Sequence, residues 1–499
     1  MSSSRLPVRA ALVAACLTFV VPSRGAAAQQ PGRAAPISRA ERLAGDTLVL
    51  AFDGAIERGL RVADELRLAA AQADVADAQL GVARAAGLPQ LRFNGGYTNI
   101  RNNARADIVG AVFAQNYVYT AAANLQQPIF QGGRVVAGTR AAGAVRGAAR
   151  ATIAETRAQL VVDVARAYLD AQFSDRLVEI QERNLRLADE RVAATERLEQ
   201  AGRAARYDVL RIKVERANFE PDLVAARNQR VLAFLELRRL LNLPAAQPVV
   251  LATAPDSARV AQLVARIDTT APPALRAAVR AAELTRDART GGVRIARADY
   301  FPQVAFTFTS GFLALPTVNR FPTQIGQTSN EFCPPGAPAT RLCQNNGWFA
   351  DRQLGFLVQW PLFQGLRVRA NVEQAQAQER QAEVQLAQVR EQVAIEAAAA
   401  RAALEAARTF QVARQRTVEE AREAFELAQL RTQRGLGTLV DVSFAQVNLL
   451  RAEVNAARAV YDVYLAAAEL ARATARPIPL LDGSALAITE RGTDRIAAP

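Results

Sequence analysis

The sequence predicts an α+β membrane protein made of one unit used twice, a pair of membrane-type β-strands leading into a pair of long coiled-coil helices. Three observations predict it. A ten-residue string recurs with its surroundings held in register. Two stretches without proline are longer than a compact domain can use. Short runs of alternating apolar and polar residues precede each of them.

The string is PIFQGGRVVA at 128–137, which matches PLFQGLRVRA at 361–370 in seven of ten positions at an offset of 233. The same offset carries Gly202 onto Gly435 and Asp208 onto Asp441. Register kept over that distance without a gap is the mark of duplication. Upstream, LPQLRFNGGYT (88–98) corresponds to FPQVAFTFTSG (301–311) at an offset of 213. The difference places 20 extra residues between Pro302 and Pro361. The halves are therefore 46–242 and 273–476, joined by a proline-rich linker at 243–272 and followed by a loosely ordered tail at 477–499.

Residues 1–28 have the form of a secretory signal: Arg5 and Arg9, an apolar core from Ala10 to Val21, and Ala26-Ala27-Ala28 before Gln29. A linker at 29–45 follows. Lipid attachment at Cys16, after Val13-Ala14-Ala15, is the alternative, although that cysteine sits inside the apolar core. Cleavage removes three arginines and lowers the formal charge from +13 to +10. The remaining basic residues are nearly all arginine, spread without a cluster, as on solvated helix faces. Export also argues against a nucleic-acid partner. Cys333 and Cys343 then remain, ten apart in the loop CPPGAPATRLC. In an oxidising compartment they are expected to pair, the alternative being two free thiols.

Each half runs in the same order. An alanine-rich helical stretch (54–86 and 274–299) leads into two strand-like runs, 89–101 with 115–130 and 302–315 with 350–363. Leu91, Phe93 and Tyr97 alternate with polar or small residues, and Leu354, Phe356, Val358 and Trp360 share one parity, although Leu357 breaks it. Period two means one apolar face and one polar face, as in a membrane hairpin or a soluble one. The proline-free stretches 134–199 and 367–433 are rich in helix formers and would each reach roughly 100 Å at the α-helical rise. Both stop at glycine, Gly202 and Gly435, where a left-handed residue reverses the chain. Shorter helices return over 207–242 and 439–474, with Pro221 expected to kink the first. Asp208 and Asp441 lie just inside these helices, where a carboxylate favours the positive end of the dipole. The lengths balance if a returning helix and a pre-strand helix stack end to end along each long arm.

No apolar run of 18 residues follows the signal, so no transmembrane α-helix is available. Four strands cannot close a barrel in lipid, where an open edge is prohibitively costly. If the four strands lie in a bilayer, several copies must therefore contribute. Two give eight strands, whose interior side chains fill; three give twelve and leave a pore.

The two half-repeats, each with PxFQGxR entering a long helix and a Gly…Asp-Val turn at its far end, resemble the TolC-like outer-membrane efflux proteins, over residues 46–476. The resemblance implies a homotrimer whose twelve-stranded outer-membrane β-barrel continues into a twelve-helix periplasmic α-barrel. It implies a passive exit duct, for efflux or type I secretion, that docks a periplasmic adaptor and through it an inner-membrane pump. Carried over by position, the adaptor-contacting tip turns are Gly202, Arg203, Ala204 and Ala205, and Gly435, Leu436, Gly437 and Thr438. Asp208 and Asp441 match the acidic position of the family's periplasmic constriction, a helix-capping role being the alternative. Some members carry a second acid where this chain has Phe444 and a basic gating residue where it has Gly437, so the detailed gate departs here.

Enzymatic chemistry and a cofactor are not expected: the chain has no histidine, no Cys/His metal spacing and no phosphate-cradling glycine loop. A periplasmic coiled-coil structural protein is one rival, but it would lack duplicated strand blocks. An adaptor protein is the other, but it would carry one helical hairpin between small β-domains.

Overall fold

The computed structural model describes residues 47–102, 117–253, 275–316 and 347–479, with a few isolated positions between and after them. Cys16, Cys333, Cys343, the signal, the 29–45 linker, most of the 243–272 linker and most of the tail lie outside the described residues.

The chain runs β1 (Leu48–Leu50), α1 (Phe52–Val62), α2 (Asp64–Ala85), β2 (Gln90–Asn99), β3 (Tyr117–Gln131), α3 (Arg134–Gln200) and α4 (Arg206–Leu240). It continues with β4 (Val249–Leu251), α5 (Ala277–Arg297), β5 (Gln303–Ala314), β6 (Gln324–Ile325), β7 (Gly347–Gln359), α6 (Arg367–Gln433) and α7 (Leu439–Ala473). Two-residue strands β8 (Ile478–Pro479) and β9 (Ala485–Leu486) close it. The duplication is exact in the helices. α3 and α6 are both 67 residues, α4 and α7 both 35, and every boundary shifts by the 233-residue offset. α4 continues unbroken through Pro221.

The strand register repeats as well, with β2 shifting to β5 by 213 residues and β3 to β7 by 233. β2 pairs antiparallel with β3 through Gln90 opposite Gln126, and β5 pairs with β7 through Gln303 opposite Gln359. The two hairpins thus have one register. β3 and β5 join them, giving the order β2-β3-β5-β7 with the short β6 beyond. Leu91, Phe93, Leu125, Phe308 and Leu354 fall on one face of the sheet, while Arg92, Asn124, Thr309 and Gln353 fall on the other. Leu357, which broke the parity in sequence, lies on the polar face opposite Ala305.

The helices pack in the same sequence as the strands. α3 packs on α2 and α4 as well as on α5 and α7, whereas α6 packs chiefly on α5 and α7 among the described residues. The order is therefore α2 with α4, then α3, then α5 with α7, then α6. In consequence nineteen residues of α3 are buried and only six of α6, although their sequences align throughout. The expected end-to-end stacking is present. Arg239 at the end of α4 holds Glu65 at the start of α2 at 2.9 Å. Arg472 at the end of α7 meets Arg276 at the start of α5 through Glu155 and Glu396.

One expectation is corrected. The stretch 54–86 is two helices, broken at Ala63, which is extended (φ −61°, ψ 134°). Phe52, Ile56 and Leu60 form a stripe that must enter the core, whereas α2 offers α3 mainly alanines. A single straight helix cannot present both surfaces in the required directions. With α1 out of the stack, α4 and α2 together fall about ten residues short of α3.

The core sits at the midpoint of α3. Phe52 packs edge-on against Tyr168 (5.3 Å between centroids) and Tyr464 (5.2 Å), with Ile56, Leu169, Leu237 and Leu241 around them. The parallel pair β1–β4 covers this cluster, and the Tyr168 hydroxyl lies 3.0 Å from the Leu50 carbonyl.

Candidate functional site

The two tips are copies of each other. Gly202 and Gly435 both have φ +74°, a left-handed conformation that strains any side chain but costs glycine nothing. At the first tip Arg203 N–H donates to Leu198 O (2.8 Å) and Gly202 N–H to Glu199 O (2.8 Å). At the second, Leu436 N–H donates to Arg431 O (2.8 Å) and Gly435 N–H to Thr432 O (3.0 Å). This pair of bonds satisfies the last helical carbonyls and turns the chain back. Arg203, Ala204 and Ala205, like Leu436, Gly437 and Thr438, make the short loop between the antiparallel helices.

The two acidic positions differ in what surrounds them. Asp441 forms a capping box: Thr438 N–H donates to its carboxylate (2.9 Å), and Asp441 N–H donates to the Thr438 hydroxyl (3.3 Å). The Thr438 backbone N–H and hydroxyl together hold the Asp441 carboxyl below the usual carboxylate range. Asp208 has no such box, because the cap position of α4 is Ala205, which offers no side-chain oxygen. Asp441 thus caps its helix from an exposed position, while Asp208 is a half-buried carboxylate in the first turn.

About two turns above the tips lies a polar group that sequence reasoning missed. Arg191 on α3 donates to Gln446 Oε1 (2.5 Å) and to the Ser443 hydroxyl on α7. Gln446 in turn donates to Asn184 Oδ1 (2.6 Å), and Ser443 to Glu215 on α4 (2.5 Å). Gln446 and Asn184 are buried, and burial pushes the Arg191 guanidinium below its ordinary value against the pull of Glu215. The group locks the returning helices of both halves to one arm. Its signal in sequence is a break in the repeat: Arg191, Ser443 and Gln446 correspond to Ala424, Leu210 and Lys213.

At the opposite end the apolar face of the sheet is bare. Phe93 and Leu354 are 75% exposed and Phe356 is 69% exposed. No helix packs across either face among the described residues. The polar face is knitted by side chains, with the Thr309 hydroxyl donating to Asn124 Oδ1 (2.8 Å). Among the described residues both long edges, β2 and β7, are unpaired along their outer sides apart from the short β6. No described helix is long and apolar enough to cross a membrane.

The sequence model of the outer membrane efflux protein family matches residues 56–243 and 274–476, both halves and nearly every described element. The chain belongs to that family. This efflux protein is accordingly an outer-membrane channel with its helical arms in the periplasm. Solved structures share the fold. A membrane protein from Pseudomonas aeruginosa superposes with a TM-score of 0.69 at 22% identity, over 85% of this chain and 93% of that one. The outer membrane protein VceC from Vibrio cholerae gives 0.69 at 21% identity, over 85% and 95%. The CmeC outer membrane channel of Campylobacter jejuni gives 0.71 at 15%, over 89% and 88%. No curated protein matches this efflux protein in sequence.

Proposed function

We propose that three copies of this chain form one exit duct, a twelve-stranded barrel in the outer membrane continuous with a periplasmic tunnel of twelve helical columns. The supporting observation is the four-strand sheet, which has one uncovered apolar face and two unpaired edges. In lipid such edges must be paired, and the bare apolar face suits acyl chains while the polar face lines water. Four helical columns per chain accompany the four strands, so three copies close both parts together. The duct is passive. A periplasmic adaptor, itself engaged by an inner-membrane pump, docks at the tip turns Gly202–Ala205 and Gly435–Thr438. The cargo is a small effluxed compound or, in a type I secretion system, a protein. Extraction of the outer membrane in mild detergent followed by native mass measurement is expected to give three times the chain mass. A stable monomer would overturn the reading. Without reductant, each chain is also expected to weigh two hydrogens less than its reduced form, from a Cys333–Cys343 bond in the external loop.

Asp208 and Asp441 are assigned to the periplasmic constriction. Asp441→Asn keeps an oxygen to accept from Thr438 N–H and removes only the charge, so the trimer's melting temperature should hold while single-channel conductance changes. Unchanged conductance with a lower melting temperature would leave Asp441 with capping alone.

A further inference from the structure

We propose that this chain binds anionic phospholipid of the periplasmic leaflet through a collar of outward-facing arginines, Arg84, Arg140, Arg297 and Arg369; this rests on the membrane-crossing sheet proposed above. Arginines scattered along the sequence meet there, one near the membrane end of each helix that adjoins the sheet. Arg84 is on α2, Arg140 on α3, Arg297 on α5 and Arg369 on α6. All four are exposed.

The sheet sets the height of the bilayer. Trp348 and Trp360 share the parity of the apolar face with Leu354, Phe356 and Val358. They stand twelve residues apart. That is roughly 40 Å along a strand and about 30 Å across a bilayer at the usual strand tilt, one hydrocarbon thickness. Trp348 packs with Tyr119 at the far end (6.4 Å between centroids), and Trp360 donates its indole N–H to the Tyr300 carbonyl at the periplasmic end (3.2 Å). Aromatic residues at both edges of an apolar band mark the two interfaces of a membrane barrel. Arg84 and Arg297 each lie six residues before their strands, which start at Gln90 and Gln303. Arg140 and Arg369 lie in the first two turns of their helices. At the helical rise all four stand about 10 Å or less below the sheet, beside the headgroup layer.

The collar faces outward. In a left-handed coil, residues seven apart share a face. Arg140 stands four heptads before Tyr168, and Val136, the repeat counterpart of Arg369, stands four heptads before Val164. Tyr168 and Val164 lie under β1 and α1, which would obstruct a duct if they stood inside it. Arg84 stands one heptad after Asp77, and Asp77 holds Arg150, two heptads before Val164. Arg297 is the repeat counterpart of Arg84. Because α3 and α5 already have neighbours on both sides, the exposure of Arg140 and Arg297 does not come from absent copies. Val136 is 55% exposed on the enclosed α3, so the place Arg369 takes on α6 is open as well.

The arginines also lack counter-charge. Among the described residues Arg84, Arg140 and Arg297 have no acidic partner. Arg369 holds Glu373 at 2.8 Å, but the two side chains are 71% and 60% exposed, a pair of little strength that leaves guanidinium donors unused. The helix dipole favours Arg84 and Arg297 in the last turns of their helices. It opposes Arg369, in a first turn that holds no acid. A guanidinium pairs bidentately with phosphate, and uncompensated charges beside the headgroups favour an anionic lipid over a zwitterionic one.

The test places the full-length protein in vesicles of phosphatidylethanolamine and phosphatidylglycerol, about four to one, and recovers it in mild detergent with its tightest lipid still bound. Mass spectrometry then reads the phosphatidylglycerol share of that lipid. The share is expected to be several-fold above bulk in the wild type and to fall with rising salt. It should return to the bulk value when Arg84→Gln, Arg140→Gln, Arg297→Gln and Arg369→Gln are combined. Arg92→Gln, on the polar face of the sheet, should keep the enrichment. Should the combined variant fail to insert, Arg140→Gln and Arg297→Gln alone are each expected to lower the enrichment. No enrichment in the wild type, or the same enrichment in the variants, would overturn the collar. Loss of the enrichment to inorganic phosphate at matched ionic strength would also overturn it, by marking a site for free anions. A wild-type protein that does not float with the vesicles would overturn the membrane-crossing sheet itself.

Discussion

Tyr168→Ala is expected to destabilise the protein by about 3–5 kcal/mol, the usual loss for truncating a fully buried aromatic side chain. Tyr168 is 0% exposed and touches three separate parts of the chain. Its ring packs against Phe52 of α1, its hydroxyl lies 3.0 Å from Leu50 O on β1, and Thr253 N–H donates to it from beyond β4 at 3.2 Å. Tyr168→Phe keeps the ring and strands the Thr253 N–H, at a cost of about 1–2 kcal/mol. Chemical unfolding of both variants in detergent should give that order. Hydrogen exchange should place the loosening in α1, β1 and β4 and leave the tips unchanged. A Tyr168→Ala protein within 1 kcal/mol of wild type would show that the midpoint cluster does not hold the arms.

Arg276→Ala is expected to cost about 2–4 kcal/mol near neutral pH. The Arg276 side chain is 7% exposed and bridges Glu155 on α3 to Glu396 on α6, where Arg472 of α7 also arrives. Removing it leaves two carboxylates facing one remaining arginine, and breaking a buried pair costs about 3–5 kcal/mol when nothing is solvated. The range is set lower because Glu396 keeps 30% of its side-chain exposure. Burial works against the Glu396 charge, yet Arg276, Gln392 and Arg472 together hold its pKa below the ordinary glutamate value. A lowered carboxylate pKa gives stability that is present above the unfolded value, about 4.3, and is lost as pH falls through the folded one. The gap between wild type and Arg276→Ala, measured by chemical unfolding, should therefore be largest near pH 7 and narrow progressively below about pH 4. A gap independent of pH would mean the loss is packing by the arginine stem.

Much of this architecture is legible locally. Freedom from proline and abundance of helix formers decide the arms, and Gly202 and Gly435 decide the tips because only the φ > 0 residue can end each helix that way. The strand faces follow from side-chain alternation. The cap at Asp441 is visible as Thr-x-x-Asp, but its absence at Asp208 turns on the single change from Thr438 to Ala205. What escaped were the places where the halves differ. The Arg191 group and the Arg276 bridge join residues distant in the chain, and the break at Ala63 answers to the core that α1 must enter, so the preferences of neighbouring residues do not specify them.

The sequence by itself determined the unit, its doubling, its helix and strand lengths and its turning points, because each depends on the conformational preferences of neighbouring residues. Only the tertiary structure decided that two units of the same element order and arm length become unequal in burial. α3 is enclosed on both sides and α6 on one, so aligned residues such as Tyr168 and Arg401 meet different fates. The physical reason is that burial is set by what packs against a helix, and in a linear duplication the outermost element always lacks the neighbour its twin possesses.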